Sequence, residues 1–265
     1  MDSFSNFVRV IAMRAYSHFF ACFLVFAFLM AGCAQRQEQI KARAQLHLQI
    51  GSSHLAQGNY PAALAELLKA EELDPKNPII QNNLGIAYGV RGRNKEAEDH
   101  YLHALAIDPG YADARSNYAR LQIDQKKYAD ALKNLAIVEN DLTYPAPEKI
   151  LSLMGMAYFY QSRYKQAEDY LSRAMNARRE SCVTSNFYGR TLFEEHKLDD
   201  AAGILDLAIE NCRQSKFEEP LFFSAMTYYS LGEKEKSKAR IDELLKNYPR
   251  SAYLTKAKGL LNLLE

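Results

Sequence analysis

The 265-residue chain has no tryptophan, no excess of either charge and no apolar run long enough to cross a bilayer comfortably. Lysine plus arginine total 33 against 32 for aspartate plus glutamate. Such a balance builds no basic surface, so nucleic acid is not an expected partner. With 17 tyrosines and 13 phenylalanines, the interior is expected to be made of aromatic wedges between helices. The sequence holds no phosphate loop, zinc-ligand pair, nucleophile elbow or convergent acid–base pair. It therefore offers no ground for an enzyme, a cofactor, a metal site or a small-molecule substrate. His100 and His103 lie three apart on one helix without further ligands, and Glu194-Glu195-His196 reads as a polar helix end.

What the chain does have is a repeat. Its cleanest copy runs from Asn82 to Pro109, with small residues Gly85, Ala97 and Ala104 and large residues Leu84, Tyr88 and Tyr101 at helical spacing on two segments. Arg91-Gly92-Arg93 separates the segments. Gly92 permits a tight turn there, and Pro109 ends the second helix by pushing the preceding residue out of the helical region. Aligning on the small residues gives six units of 34 residues: 44–77, 78–111, 112–145, 148–181, 182–215 and 218–251. Two short insertions, Ala146-Pro147 and Lys216-Phe217, interrupt the period. The eighth position (Gly51, Gly85, Ala119, Gly155, Gly189, Ala225) and the twentieth (Ala63, Ala97, Ala131, Ala167, Ala201, Ser237) are small in all six units. Both are expected to let two helices of a hairpin approach closely. A further amphipathic helix within 252–265, with Ser251 as its N-cap, is expected to close the end of the array.

The amino-terminal stretch follows a different rule. Phe19 to Ala31 is a 13-residue apolar run preceded by Arg9 and Arg14 and followed by Gly32-Cys33, the layout of a secretory signal. Leu29-Met30-Ala31-Gly32-Cys33 resembles the bacterial lipobox, whose cysteine is acylated and becomes the first residue. Residues 1–32 are thus expected to be a signal peptide, Cys33 the lipidation site and 33–43 a tether. Translation starts at Met1 or at Met13. No aspartate follows Cys33, and the enterobacterial sorting rule then directs the protein to the periplasmic face of the outer membrane.

The 34-residue pattern is identified as the tetratricopeptide repeat. The resemblance implies an all-α, right-handed superhelical solenoid of six repeats with a C-terminal capping helix, whose concave face is lined by the first helix of each unit. Its groove positions are Ile79, Asn82, Ile86 and Val90 early in the chain, Arg120 in the third unit, and Met156, Phe159, Tyr160, Arg190, Phe193, Phe222, Met226 and Tyr229 in the last three. So apolar a groove fits a partner segment; the alternative is that superhelical twist buries several of these side chains between repeats. Cys182 and Cys212 stand at positions 1 and 31 of one unit, so antiparallel helices bring them to one end of the hairpin, and an oxidising compartment allows a disulfide between them.

Asp141-Leu142-Thr143-Tyr144-Pro145 replaces the ordinary turn between units three and four. Together with the six-unit count, the lipobox and the closing Lys246-Asn247-Tyr248-Pro249-Arg250-Ser251, it makes the chain similar to the type IV pilus biogenesis lipoproteins PilF and PilW. That resemblance implies a pilotin, a lipid-anchored scaffold that binds the type IV pilus secretin subunit and promotes its outer-membrane localisation and multimerisation. The other reading is a periplasmic repeat lipoprotein serving outer-membrane protein assembly or cell-wall enzymes.

Overall fold

The structure is a computed structural model that describes residues 35–215 and 217–264. The leader and Cys33 lie outside the described residues. Among those described there is no strand; thirteen helices carry the fold. They run as α1 (residues 35–56) and α2 (Tyr60–Leu73), α3 (Pro78–Val90) and α4 (Asn94–Ile107), α5 (Ala112–Asp124) and α6 (Tyr128–Glu139). There follow α7 (Pro147–Tyr160) and α8 (Tyr164–Ala177), α9 (Cys182–Glu194) and α10 (Leu198–Cys212), α11 (Glu219–Ser230) and α12 (Lys234–Asn247), and last α13 (Leu254–Leu264). The chain forms two compact units, one ending at Pro109 and the other beginning at Gly110. None of the described helices is long and apolar enough to cross a membrane.

Local chemistry starts several of these helices. The Asn77 side chain accepts from the backbone N–H of Ile79 at 3.0 Å and of Ile80 at 3.4 Å, ahead of Pro78 in the first turn of α3. Proline suits that turn because the missing N–H has no helical partner there. Ser181 caps α9 by accepting from Thr184 N at 3.3 Å. At the C-terminal end the structure differs from expectation. α13 begins at Leu254, because Ser251 Oγ accepts from Tyr253 N at 3.1 Å and holds a turn before the helix.

The two helices of each hairpin meet at one recurrent contact. A Cβ placed on Gly51 would come within 2.8 Å of Leu67 Cγ, on Gly85 within 2.6 Å of Tyr101 Cε1, on Gly155 within 2.4 Å of Leu171 Cγ, and on Gly189 within 2.6 Å of Leu205 Cγ. Each glycine thus faces a buried large residue sixteen positions later. In units three and six the eighth position is Ala119 or Ala225, and the residues sixteen later are Leu135 and Ile241, also buried. The twentieth position is fully buried in all six units; the one serine there, Ser237, satisfies its hydroxyl by donating to Ala225 O at 2.8 Å.

The hairpin turns share a second constraint. Position fifteen of every unit has positive φ: Gly58, Gly92 and Gly232 at 73–76°, and Lys126, Ser162 and His196 at 57–63°. The next residue's N–H then reaches back five residues, as in Arg93 N to Tyr88 O at 3.0 Å and Lys197 N to Leu192 O at 2.9 Å. This is the hydrogen bond by which a left-handed residue closes a helix. His196 is therefore a turn residue.

Three substitutions test this account by chemical denaturation. Gly155→Ala should cost about 1–3 kcal/mol by overpacking against Leu171. Gly203→Ala, in mid-helix with nothing within 4 Å of the new Cβ, should stabilise by about 0.5–1 kcal/mol. His196→Gly should stabilise by about 1 kcal/mol by relieving the left-handed conformation. Equal effects of the two alanine substitutions would refute the contact at position eight.

Candidate functional site

The residues assigned to the groove divide by unit and by exposure. In the amino-terminal unit Ile79 and Val90 on α3 are 46% and 54% exposed, Ile86 is half-buried and Asn82 is buried. In the second unit Tyr160 is 44% exposed and Arg120 is exposed, whereas Phe193, Met226 and Tyr229 are half-buried and Met156, Phe159 and Phe222 are buried. Two of the buried ones, Phe159 and Phe222, pack against aromatic neighbours. Phe159 lies 5.4 Å from Phe187 and 5.7 Å from Tyr164, and Phe222 stacks at 4.8 Å on Tyr253, which immediately precedes α13.

Arg190 occupies the centre of this aromatic surface. Its guanidinium sits 4.6 Å from the Phe159 centroid, 5.2 Å from Phe187 and 4.5 Å from Phe223, where the ring quadrupoles attract a cation. It also pairs with Glu219 Oε2 at 2.9 Å, both side chains being about 85% buried. Glu219 further accepts from Asn186 Nδ2 at 2.7 Å and from the Tyr253 hydroxyl. One carboxylate on α11 thus joins α9 and the turn that precedes α13. Burial, then the bond to Glu219, raises the Tyr253 hydroxyl above the ordinary tyrosine range.

Sequence reasoning missed Phe187, Phe223, Glu219 and Tyr253. The first two share position six of successive units, which is not among the groove positions, and that recurrence was the available signal. His100, which raised the question of a metal, lies against the Tyr88 ring at 5.2 Å and is within 2.7 Å of Gln81 Oε1. Burial pushes its imidazole below the usual range.

A separate cleft of about 450 Å³ opens between the first helices of units three, four and five. Leu153 and Met156 of α7 and Val183 of α9 supply its apolar lining, and Arg120, Lys149 and Arg178 its cations. The Asp141–Pro145 segment buttresses one side. Asp141 accepts from Thr143 N at 2.9 Å and Oγ1 at 2.6 Å, and Tyr144 donates to Asp113 Oδ1 at 2.9 Å. Burial first, then this bond, pushes the Tyr144 hydroxyl up to about 12.

At the N-terminal end of α9, the Sγ atoms of Cys182 and Cys212 are 2.14 Å apart and their Cα atoms 4.7 Å apart. That is covalent distance.

Stacked antiparallel hairpins with small residues at positions eight and twenty define a tetratricopeptide-repeat protein. Residues 51–89 match the TPR repeat family and residues 91–141 the Tetratricopeptide repeat family. Among particular proteins, the chain is 26% identical over 161 residues to the type IV pilus assembly protein PilF of Pseudomonas aeruginosa. That alignment covers 61% of this chain and 64% of the relative, so the match spans a little under two thirds of PilF. The solved structure of Pseudomonas aeruginosa pilF superposes with a TM-score of 0.71 at 21% identity, covering 83% of this chain and 99% of that one. The crystal structure of PilW, a type IV pilus biogenesis factor, gives 0.72 at 22% identity, with 80% and 97% covered. The Cut9 and Hcn1 hetero-tetramer of APC/C gives 0.75 at 15% identity, with 87% and 46% covered. So similar a score from an assembly unconnected with pili means that these superpositions establish the repeat fold. The relation to the pilus proteins rests on the sequence alignment.

Two measurements test the site. Glu219→Ala should destabilise by about 3–5 kcal/mol, because it strands Arg190 between the rings, whereas Tyr253→Phe should cost about 1 kcal/mol; equal urea midpoints for both would count against the carboxylate as the joint. Thiol titration under denaturing, non-reducing conditions should find neither Cys182 nor Cys212 free. Closing a loop with a sequence separation of 30 should make Cys182→Ser cost about 3–4 kcal/mol.

Proposed function

We propose that the protein is a lipid-anchored pilotin. It binds the secretin subunit of the type IV pilus and promotes its localisation and multimerisation at the outer membrane. The observation that carries this reading is the alignment to PilF over 161 residues. A tetratricopeptide scaffold related to pilus assembly proteins is a protein-binding device, and the lipobox gives the binding a destination. Acylation at Cys33 would hold the chain to the periplasmic face of the outer membrane. One acyl chain is marginal, but two or three are sufficient, each buried methylene adding roughly 0.8 kcal/mol. Ile79 and Val90 in the amino-terminal unit, and separately Tyr160 in the second, offer exposed apolar side chains to an incoming segment.

Crosslinking in outer membranes, affinity capture of the protein and mass spectrometry should recover the secretin subunit. In a Cys33→Ala strain the secretin should lose its outer-membrane location and its multimers should fall in amount. Unchanged multimers in that strain would overturn the pilotin reading.

A further inference from the structure

The first helix of the array keeps exposed a face that every later unit buries. Position three is buried in units two to six, as Ile80, Ala114, Ile150, Thr184 and Pro220, and position ten is buried in each of them as well. The cover comes from the second helix of the unit before. Leu67 and Ala70 of α2 cluster with Ile80, Leu84 and Ala87 of α3, and Leu135 and Val138 of α6 with Ile150, Met154 and Ala157 of α7. Among the described residues no helix precedes α1, so Leu46 at position three is 54% exposed, Ile50 at position seven 37%, and Ser53 at position ten is exposed. α1 also differs from the other first helices in where it starts. It is helical from residue 35, ahead of the unit's opening Ala44, which leaves Ala34 alone between it and Cys33. Arg36, Gln39 and Arg43 extend the line of Leu46, Ile50 and Ser53 by alternating steps of three and four, and so lie on the same side of the helix. All six are exposed. Neither arginine has a carboxylate partner among the described residues. The stripe carries no acid of its own, since Glu38 falls on another side of α1.

We infer that this stripe is a membrane-contact face that lays α1 along a bilayer containing anionic phospholipid, with Arg36 and Arg43 at the headgroup phosphates and Leu46 and Ile50 against the upper acyl region. The inference rests on the acylation of Cys33 proposed above and adds an orientation to it. The acyl chains bring α1 to lipid at high effective concentration, so a face too small to hold a vesicle by itself is sufficient to choose which side of the helix turns down. Charge picks out the lipid: two unpaired arginines next to the anchor meet phosphates there, and basic side chains are stabilised at an anionic surface. Their apolar stems lie along the interface while the guanidinium groups stay among the headgroups. A protein occupant would have to bring acids to the arginines and an apolar surface to Leu46 and Ile50, whereas the bilayer beside Cys33 supplies the two together.

The test uses the full chain, processed and acylated in cells and placed in vesicles of phosphatidylethanolamine and phosphatidylglycerol. With the leader removed, Cys33 acylated and Cys182 and Cys212 in their disulfide, Ile50→Cys provides a single free thiol for an environment-sensitive nitrobenzoxadiazole label. Leu102→Cys, at a side chain 45% exposed on α4 of the same unit, is the control. The label at residue 50 should shift to the blue and be quenched by acyl-brominated lipid, and the label at residue 102 should do neither. Arg36→Glu combined with Arg43→Glu should lower the face-down equilibrium at residue 50 at least about thirtyfold, while flotation shows the protein still vesicle-bound through its acyl chains. Raised salt and phosphatidylcholine vesicles should act in the same direction. Should the double variant fail to fold by circular dichroism, Arg43→Gln alone should still reduce the quenching. Equal quenching at the two sites, or quenching at residue 50 that a folded variant leaves unchanged, would overturn the inference. A blue shift at residue 50 that persists in detergent and grows with protein concentration would overturn it in favour of a second copy on the stripe. A processed chain that mass spectrometry finds unacylated removes the anchor, and this inference with it. A chain that is acylated and captures the secretin but leaves the label at residue 50 in water removes the inference alone.

Discussion

The close approach of two helices at the eighth position is the constraint from which the rest of the structure follows. A Cβ on Gly155 would lie 2.4 Å from Leu171 Cγ, so the helices pack at a separation that leaves no space for a side chain there. Interiors at crystal-like density do not absorb such an intrusion without moving backbone. With that distance set, the turn must reverse the chain within a few residues. This is why position fifteen takes a left-handed conformation in every unit, even where the residue is lysine, serine or histidine. The twentieth position, facing back across the hairpin, can then hold only alanine or a serine whose hydroxyl finds a carbonyl.

Much of this was legible in the sequence because residue size is a property of the sequence. Six small residues at one position and six at another need no coordinates to be read as close contacts. The turns were half legible. Gly92 announces a left-handed residue, but nothing in Lys126, Ser162 or His196 does, and only the shared register puts them in the same conformation. The last helix was found but its start was misplaced by two residues. A serine before a helix caps or turns with equal ease, and here Ser251 takes Tyr253 N instead of initiating α13.

The groove was the least legible part. Position within a unit says which face of a helix a residue occupies, and it assigned Phe159, Met156 and Phe222 to that face. It says nothing of what the next repeat places opposite. Phe187 of the next unit packs edge-on against Phe159, and Tyr253 beyond the last unit stacks on Phe222. The cleft lay hidden for a related reason. Arg178 belongs to no groove position and Lys149 shares position two with Ile79, and the two converge because successive repeats bring α5, α7 and α9 side by side.

The two charged sites of the second unit divide the work between holding and recognising. Arg190 is surrounded by three rings and bound to Glu219, which is itself satisfied by Asn186 and Tyr253. Extracting that cation to meet a ligand would leave a buried carboxylate short of a partner, a loss on the order of 3–5 kcal/mol. Its charge is committed to tying α9, α11 and the turn before α13 together. Lys149, Arg178 and Arg120 stand at 3.6–3.9 Å from their carboxylates around open space. Pairs of that length at an open cleft are held less firmly than the Arg190–Glu219 pair. A repeat array whose packing positions are all occupied can recognise another protein only through residues that its packing does not need, and Arg120, Lys149 and Arg178 are of that kind, beside the first of the two breaks in the period, Ala146-Pro147.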